Sequence, residues 1–225
     1  MDIRNECSAL HKSTLLHVQR SLSFIYPPDL VGIGFVRLID KVPLDVKLYI
    51  KEGRIKDKTK TSQAFYMPAY KKSPPYVALI VPKILRGVPD WLMWTPATTL
   101  LIAHSIAHEV GHHLISKRGY ALHQSEAPRE RLSEYEEEMV NRYAFEVTRK
   151  MRARWRYKFG NVILNEIASW RNIQGRLAWD EKNYIRSKEY FLQAWHINPD
   201  DANAEKCFRI AQAKVDRESQ AKSKV

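Results

Sequence analysis

Cysteine is scarce. Cys7 and Cys207 alone, in 225 residues, provide no disulfide framework of the kind that holds small secreted folds, and both read as free thiols. No apolar run reaches the about 18 residues needed to cross a bilayer, so no membrane span is expected. The opening Met1-Asp-Ile-Arg-Asn-Glu lacks a basic stretch followed by an apolar core, which points away from a secretory signal and toward the cytoplasm. Acidic residues are in deficit: 25 Asp and Glu stand against 37 Lys and Arg, a net charge of +12. That excess solvates the protein and also suits nucleic-acid association through a basic surface, by counterion release and steering. The densest basic segment, residues 51–60, contains no aromatic residue for base stacking and reads as a solvated turn with Gly53 at its bend. At 44% hydrophobic residues, the length allows one domain of ordinary size plus a small appendage.

Against these absences stands one dense stretch, Ala103-His104-Ser105-Ile106-Ala107-His108-Glu109-Val110-Gly111-His112-His113. It contains His-Glu-x-x-His. On a helix, residues four apart stack on one face, so His108 and His112 can reach one metal ion. Glu109 projects beside them, placed to take a proton from an activated water. Thr95-Pro96, read as an N-cap with proline at the first helical position, followed by Ala97, Leu100, Leu101, Ile106 and Ala107, predicts a buried or half-buried helix. Gly111 costs about 1 kcal/mol against alanine in mid-helix, which predicts the close approach of another element. His104 lies on the same stripe but a full turn too far from the ion that His108 and His112 share, and is expected beside the ligands or in the core. His113 points about 100° away from His112.

A catalytic zinc site takes three protein ligands. A helical run from Ser133 to Phe145 offers Glu134, Glu136, Glu137 and Glu138, with Met139, Val140, Tyr143, Ala144 and Val147 marking its buried face. Glu136 and Glu137 flank that face, and composition does not choose between them. His123, after a loop containing Gly119, is a rival ligand. The later histidine of metzincins is lacking, because Arg118 occupies its place.

His108-Glu109-Val110-Gly111-His112, followed by Glu137-Glu-Met-Val-Asn141-Arg-Tyr-Ala144-Phe145, resembles the gluzincin pattern, in particular metallopeptidases of the ImmA/IrrE type. The similarity covers about residues 45–150, with Val140 standing where alanine is usual. It implies a zinc cofactor held by His108, His112 and Glu137, with Asn141 orienting a ligand histidine from behind. It implies an endopeptidase with a protein or peptide substrate, and relatives of this type are associated with cleaving transcriptional repressors. Two other readings accompany it: a noncatalytic regulator or scaffold with a structural zinc, and a peptidase acting on proteins bound to nucleic acid.

Around the motif, a helix is expected within residues 6–22, with His11 and His17 as packing or surface residues, ending before Pro27-Pro28. Strands are expected over residues 31–39, 46–50, 64–67 and 76–81, with a turn over 70–75. By the resemblance, the last strand is the edge on which an extended substrate would add, making Tyr76, Val77 and Ala78 substrate-binding. Residues 90–94 read as hydrophobic packing, and the loop over 119–131, with Tyr120, His123 and Arg131, as the rim of the cleft. Trp170, Gly175, Tyr184, Ser187, Phe191, Ala194 and Pro199 resemble one tetratricopeptide-like helix hairpin, followed by a capping helix over 202–215 and a disordered polar tail. A single repeat does not bury its own face. The expected fold class is α+β: a zincin-like domain over residues 1–158, with a small mixed β-sheet packed on the HExxH helix and a second, Glu-bearing helix, then a helical tetratricopeptide-like extension over 159–225.

Overall fold

The computed structural model describes residues 1–8, 10–51, 62–69, 72–117 and 129–223, and these divide into two compact units, Met1–Val147 and Thr148–Val225. The boundary expected after residue 158 falls, like the observed one, within a helix spanning Arg129–Asp180. The fold is α+β, with a small mixed sheet.

In the first unit, strands β1 (Asp2–Glu6), β2 (Phe35–Ile39), β3 (Ala64–Met67) and β4 (Tyr76–Ile80) form one sheet in the order β1-β2-β4-β3. The β1–β2 and β2–β4 pairs are parallel, and β3 runs antiparallel to β4. Alternation sends Phe35, Ile39, Phe65, Met67, Tyr76, Ala78 and Ile80 to one face, where Val46 of helix α2 (Leu44–Lys51) completes a buried cluster. Tyr66 projects from the other face, and its hydroxyl meets His113 of helix α4 (Pro96–Lys117), which packs there. Helix α1 (Thr14–Leu22) lies on α4, joined through the buried His17, whose ring nitrogens are 2.7 Å from Thr99 Oγ1 and 2.7 Å from the Met93 carbonyl. The short helix α3 (Val81–Ile84) follows β4 directly.

Several expectations are corrected. Residues 46–50 are part of α2, not a strand; among its described side chains Val46 is buried while Leu44, Lys47, Leu48 and Lys51 are exposed, one apolar contact to the sheet rather than a strand's alternation. The helix expected over 6–22 begins only at Thr14, and the start of the chain, for which no element was expected, forms β1; its residues are nearly all exposed, and it is held by main-chain pairing and by Arg37, which donates to both Glu6 oxygens at 2.8 and 2.7 Å. Cys7 is a free thiol, its pKa pushed up to about 12 by burial, with the Asp40 carboxylate adding to the shift. Residues 52–60 of the basic segment, and residues 119–128 of the loop expected over 119–131, with Tyr120 and His123, lie outside the described residues, while 129–131 begin the helix Arg129–Asp180.

The second unit contains the remainder of α5 (Arg129–Asp180), then α6 (Tyr184–Ile197) and α7 (Ala202–Ser223). Asn183 caps α6 by accepting from the Arg186 amide, and Asp201 receives the Asn203 and Ala204 amides at the start of α7. A Cβ on Gly175 would come within 2.6 Å of the Phe191 ring, so glycine is what allows α5 and α6 to touch. Residues 216–223, expected to be disordered, continue α7, where spacing of four residues pairs Lys214 with Glu218 and Gln212 with Asp216. Arg171 is fully buried between the Trp170 and Tyr190 rings, and burial lowers its pKa to about 10.

Candidate metal centre

Helix α4 begins as its sequence suggests, at Pro96, although Thr95 does not cap it: the Thr95 hydroxyl donates to the Leu92 carbonyl at 2.8 Å instead. From Ala97 to Ala107 every residue is buried, so the helix is core on all sides for nearly three turns. Burial then breaks on one stripe. The side chains of His108 and His112 retain 22% and 27% exposure, and that of Glu137 on α5 retains 30%, enough for a small reactant to reach groups otherwise set into the fold.

Gly111 brings the two helices together. A Cβ there would lie 3.0 Å from Val140 Cγ1 and 3.2 Å from Val140 Cα, so α5 rests almost directly on the α4 backbone. This is the close approach that a glycine in mid-helix led one to expect. Three residues before and one after each contact residue, at His108 and His112 on α4 and at Glu137 and Asn141 on α5, the polar groups of both helices turn toward each other. His108 Nε2 lies 3.5 Å from Glu137 Oε2, and His112 Nε2 lies 3.9 Å from Glu137 Oε1. The imidazole rings are 5.0 Å apart, and ligand atoms of all three residues fall within 4.8 Å of one another. A tetrahedral ion with bonds of about 2.1 Å separates its ligand atoms by about 3.4 Å, so this group could hold a metal ion with little rearrangement.

Behind His108, Asn141 Oδ1 is 3.1 Å from Nδ1. An amide oxygen only accepts, so Nδ1 carries the hydrogen, and Nε2 is the nitrogen turned toward Glu137. Glu109 is buried at 7% exposure, directly after His108. His104 is buried with its ring centroid 4.6 Å from that of Phe145; it is not in the three-residue group. Glu134 and Glu138 are exposed, Glu138 pairing with Arg142, and Glu136 is half-buried outside the group.

Tyr76, Val77 and Ala78 are not at an open edge. They lie on β4, hydrogen-bonded to β2 on one side and β3 on the other, and all five residues of that strand are buried. A strand whose backbone is paired on both sides has nothing left for a substrate strand, and a run apolar on both parities marks such an interior position. Sequence reading also missed contacts at long range: Tyr143 of α5 donates to Asp29 at 2.8 Å, and His113 lies 3.0 Å from the Val31 carbonyl. A hydroxyl on a buried helix face signals that some partner exists, but not that it lies 114 positions away.

No protein-family model matches the chain, and no curated protein or solved structure is significantly similar to it. The geometry itself therefore carries the functional argument.

Proposed function

We propose that this chain is a zinc-dependent endopeptidase of gluzincin type, resembling the ImmA/IrrE metallopeptidases, with His108, His112 and Glu137 as ligands. One observation carries the reading: two imidazole nitrogens and a carboxylate oxygen converge within 4.8 Å, on a His-Glu-x-x-His helix. Nitrogen and carboxylate ligands of this kind suit zinc. Bound there, zinc supplies a Lewis acid that polarises a scissile carbonyl and acidifies water toward neutral pH. Glu109 takes the proton from the attacking water and passes it to the leaving amine, so the peptide bond is exchanged for a carboxyl and an amine. Asn141 holds the His108 ring in the tautomer that ligation needs.

Substrate addition, which the sequence assigns to β4, is better assigned to β3, the strand that ends the sheet order among the described residues and packs on α4. The second unit is read as a tetratricopeptide-like hairpin, supported by the Gly175–Phe191 contact. The net charge of +12 favours a regulatory protein associated with nucleic acid as substrate.

Metal per chain, measured by mass spectrometry, tests the ligands: about one zinc is expected in the wild type and little in Glu137→Ala. Glu109→Gln should keep the metal and lose about 100-fold or more in hydrolysis of a quenched fluorescent peptide library. Undiminished hydrolysis in that variant would instead favour a scaffold with a structural ion.

A further inference from the structure

The helices α4 and α5 are joined a second time, away from the metal centre, by the short segment over residues 29–31. The Val31 carbonyl accepts from Lys117 Nζ at 3.1 Å and from His113 Nε2 at 3.0 Å, which fixes the segment to α4. Asp29 Oδ2 accepts the Tyr143 hydroxyl at 2.8 Å, which fixes α5 to the same segment. Burial and the neighbouring Asp29 carboxylate push the Tyr143 pKa well above its ordinary value, so the phenol remains a donor.

Helical geometry gives this bond a purpose. Successive residues turn by about 100°, so Val140 projects about 60° from Glu137, and Tyr143 about 120° in the same rotational sense. Val140, seated on Gly111, therefore stands midway between the side chain that reaches the histidines and the side chain that reaches Asp29. Helix α5 also meets α4 where Phe145 packs on His104, ring centroids 4.6 Å apart, and a tether at Tyr143, on the other side of Val140, opposes rotation about these contacts. At about 6 Å from the helix axis, a roll of about 10° displaces a carboxylate oxygen by about 1 Å. Metal–ligand distances tolerate only about 0.2 Å.

We propose that Asp29, through its hydrogen bond with Tyr143, is a positioning residue for the metal centre, holding α5 at the rotation that presents Glu137 to His108 and His112. The inference rests on the reading of those three residues as ligands and adds to it a control located elsewhere in the unit.

Zinc affinity, measured by competition with a chromophoric chelator, and the visible spectrum of the cobalt(II)-loaded full chain test it, with thermal melting of the metal-free protein as a control for folding. Tyr143→Phe and Asp29→Ala should each weaken zinc about 10- to 100-fold and alter the cobalt bands. Asp29→Asn, whose amide oxygen still accepts the phenol, should recover most of the affinity. Wild-type affinity and spectrum in a folded Tyr143→Phe protein would overturn the proposal, as would an Asp29→Asn protein as weak as Asp29→Ala. Should Tyr143→Phe fail to fold, the two Asp29 variants decide alone. Glu137→Gln separates the two levels of the argument: if it binds zinc as tightly as the wild type, the ligand assignment itself fails and the positioning role falls with it.

Discussion

Two helix seams in this molecule are made in the same way and differ in what flanks them. In the first unit Gly111 of α4 lies under Val140 of α5; in the second Gly175 of α5 lies under Phe191 of α6. Beside Gly175 is a buried Ser187, whose hydroxyl donates to the Gly175 carbonyl at 2.8 Å, with Ala178 and Ala194 buried nearby in sequence. Its polar groups are spent on the backbone of the seam. Beside Gly111 the polar side chains turn toward one another instead, two histidines against a carboxylate and an amide, and remain partly open. Close helix contact is therefore a way to bring side chains together, and the residues one turn away decide whether the result is a packed joint or a cluster fit for an ion.

Substitutions at the two glycines should separate these roles most strongly. Gly175→Ala sets a Cβ against an aromatic ring and is expected to destabilise the second unit by about 1–3 kcal/mol, read by chemical denaturation, with metal content unchanged. Gly111→Ala should instead weaken zinc about tenfold or more by lifting Val140, and Glu137 with it, off α4. An alanine at 111 that left metal affinity intact would break the comparison. At the next level, Asn141→Leu should weaken zinc about 10-fold, whereas Ser187→Ala should cost about 1 kcal/mol of stability and leave metal binding alone. The smallest effect concerns pH. Burial holds the His17 pKa below its ordinary value of 6.5, despite the opposing bond to the Met93 carbonyl. The unfolded chain then binds this proton more readily than the folded one, so the stability present above about pH 6.5 declines as the pH falls through that value toward the lower folded pKa. Urea midpoints at pH 7.5 and 5.5 should show the decline, and His17→Gln should make it shallower.

What could be read from the sequence was local. Spacings of three and four residues carry the His108, His112 and Glu109 arrangement, and the cost of a glycine in mid-helix carries the α4–α5 contact. A helix in place of the strand expected over 46–50 shows the limit: β-branched residues clustered there, but among the described side chains of that segment Val46 alone is buried, in the cluster on the sheet. Strand β1 was hidden for the opposite reason, because Asp-Ile-Arg-Asn-Glu has no apolar alternation and gains its place by pairing with residues 35–39. The interior position of β4 and the Asp29–Tyr143 bond depend on residues distant in the chain, which periodicity does not reach.

The composition of β1 bears on how these molecules behave toward each other. It ends the sheet among the described residues, and its charges alternate in sign along the strand: Asp2, Arg4 and Glu6, with Glu6 already engaged by Arg37. A second molecule laying a strand along that border would have to strip water from these ions without matching them, so the border discourages the stacking of sheets into aggregates. Replacing Asp2 and Glu6 with neutral residues removes the alternation and leaves Arg4 as the one charge on the strand, so turbidity of such a variant in concentrated solution is where the loss of this protection would first be seen.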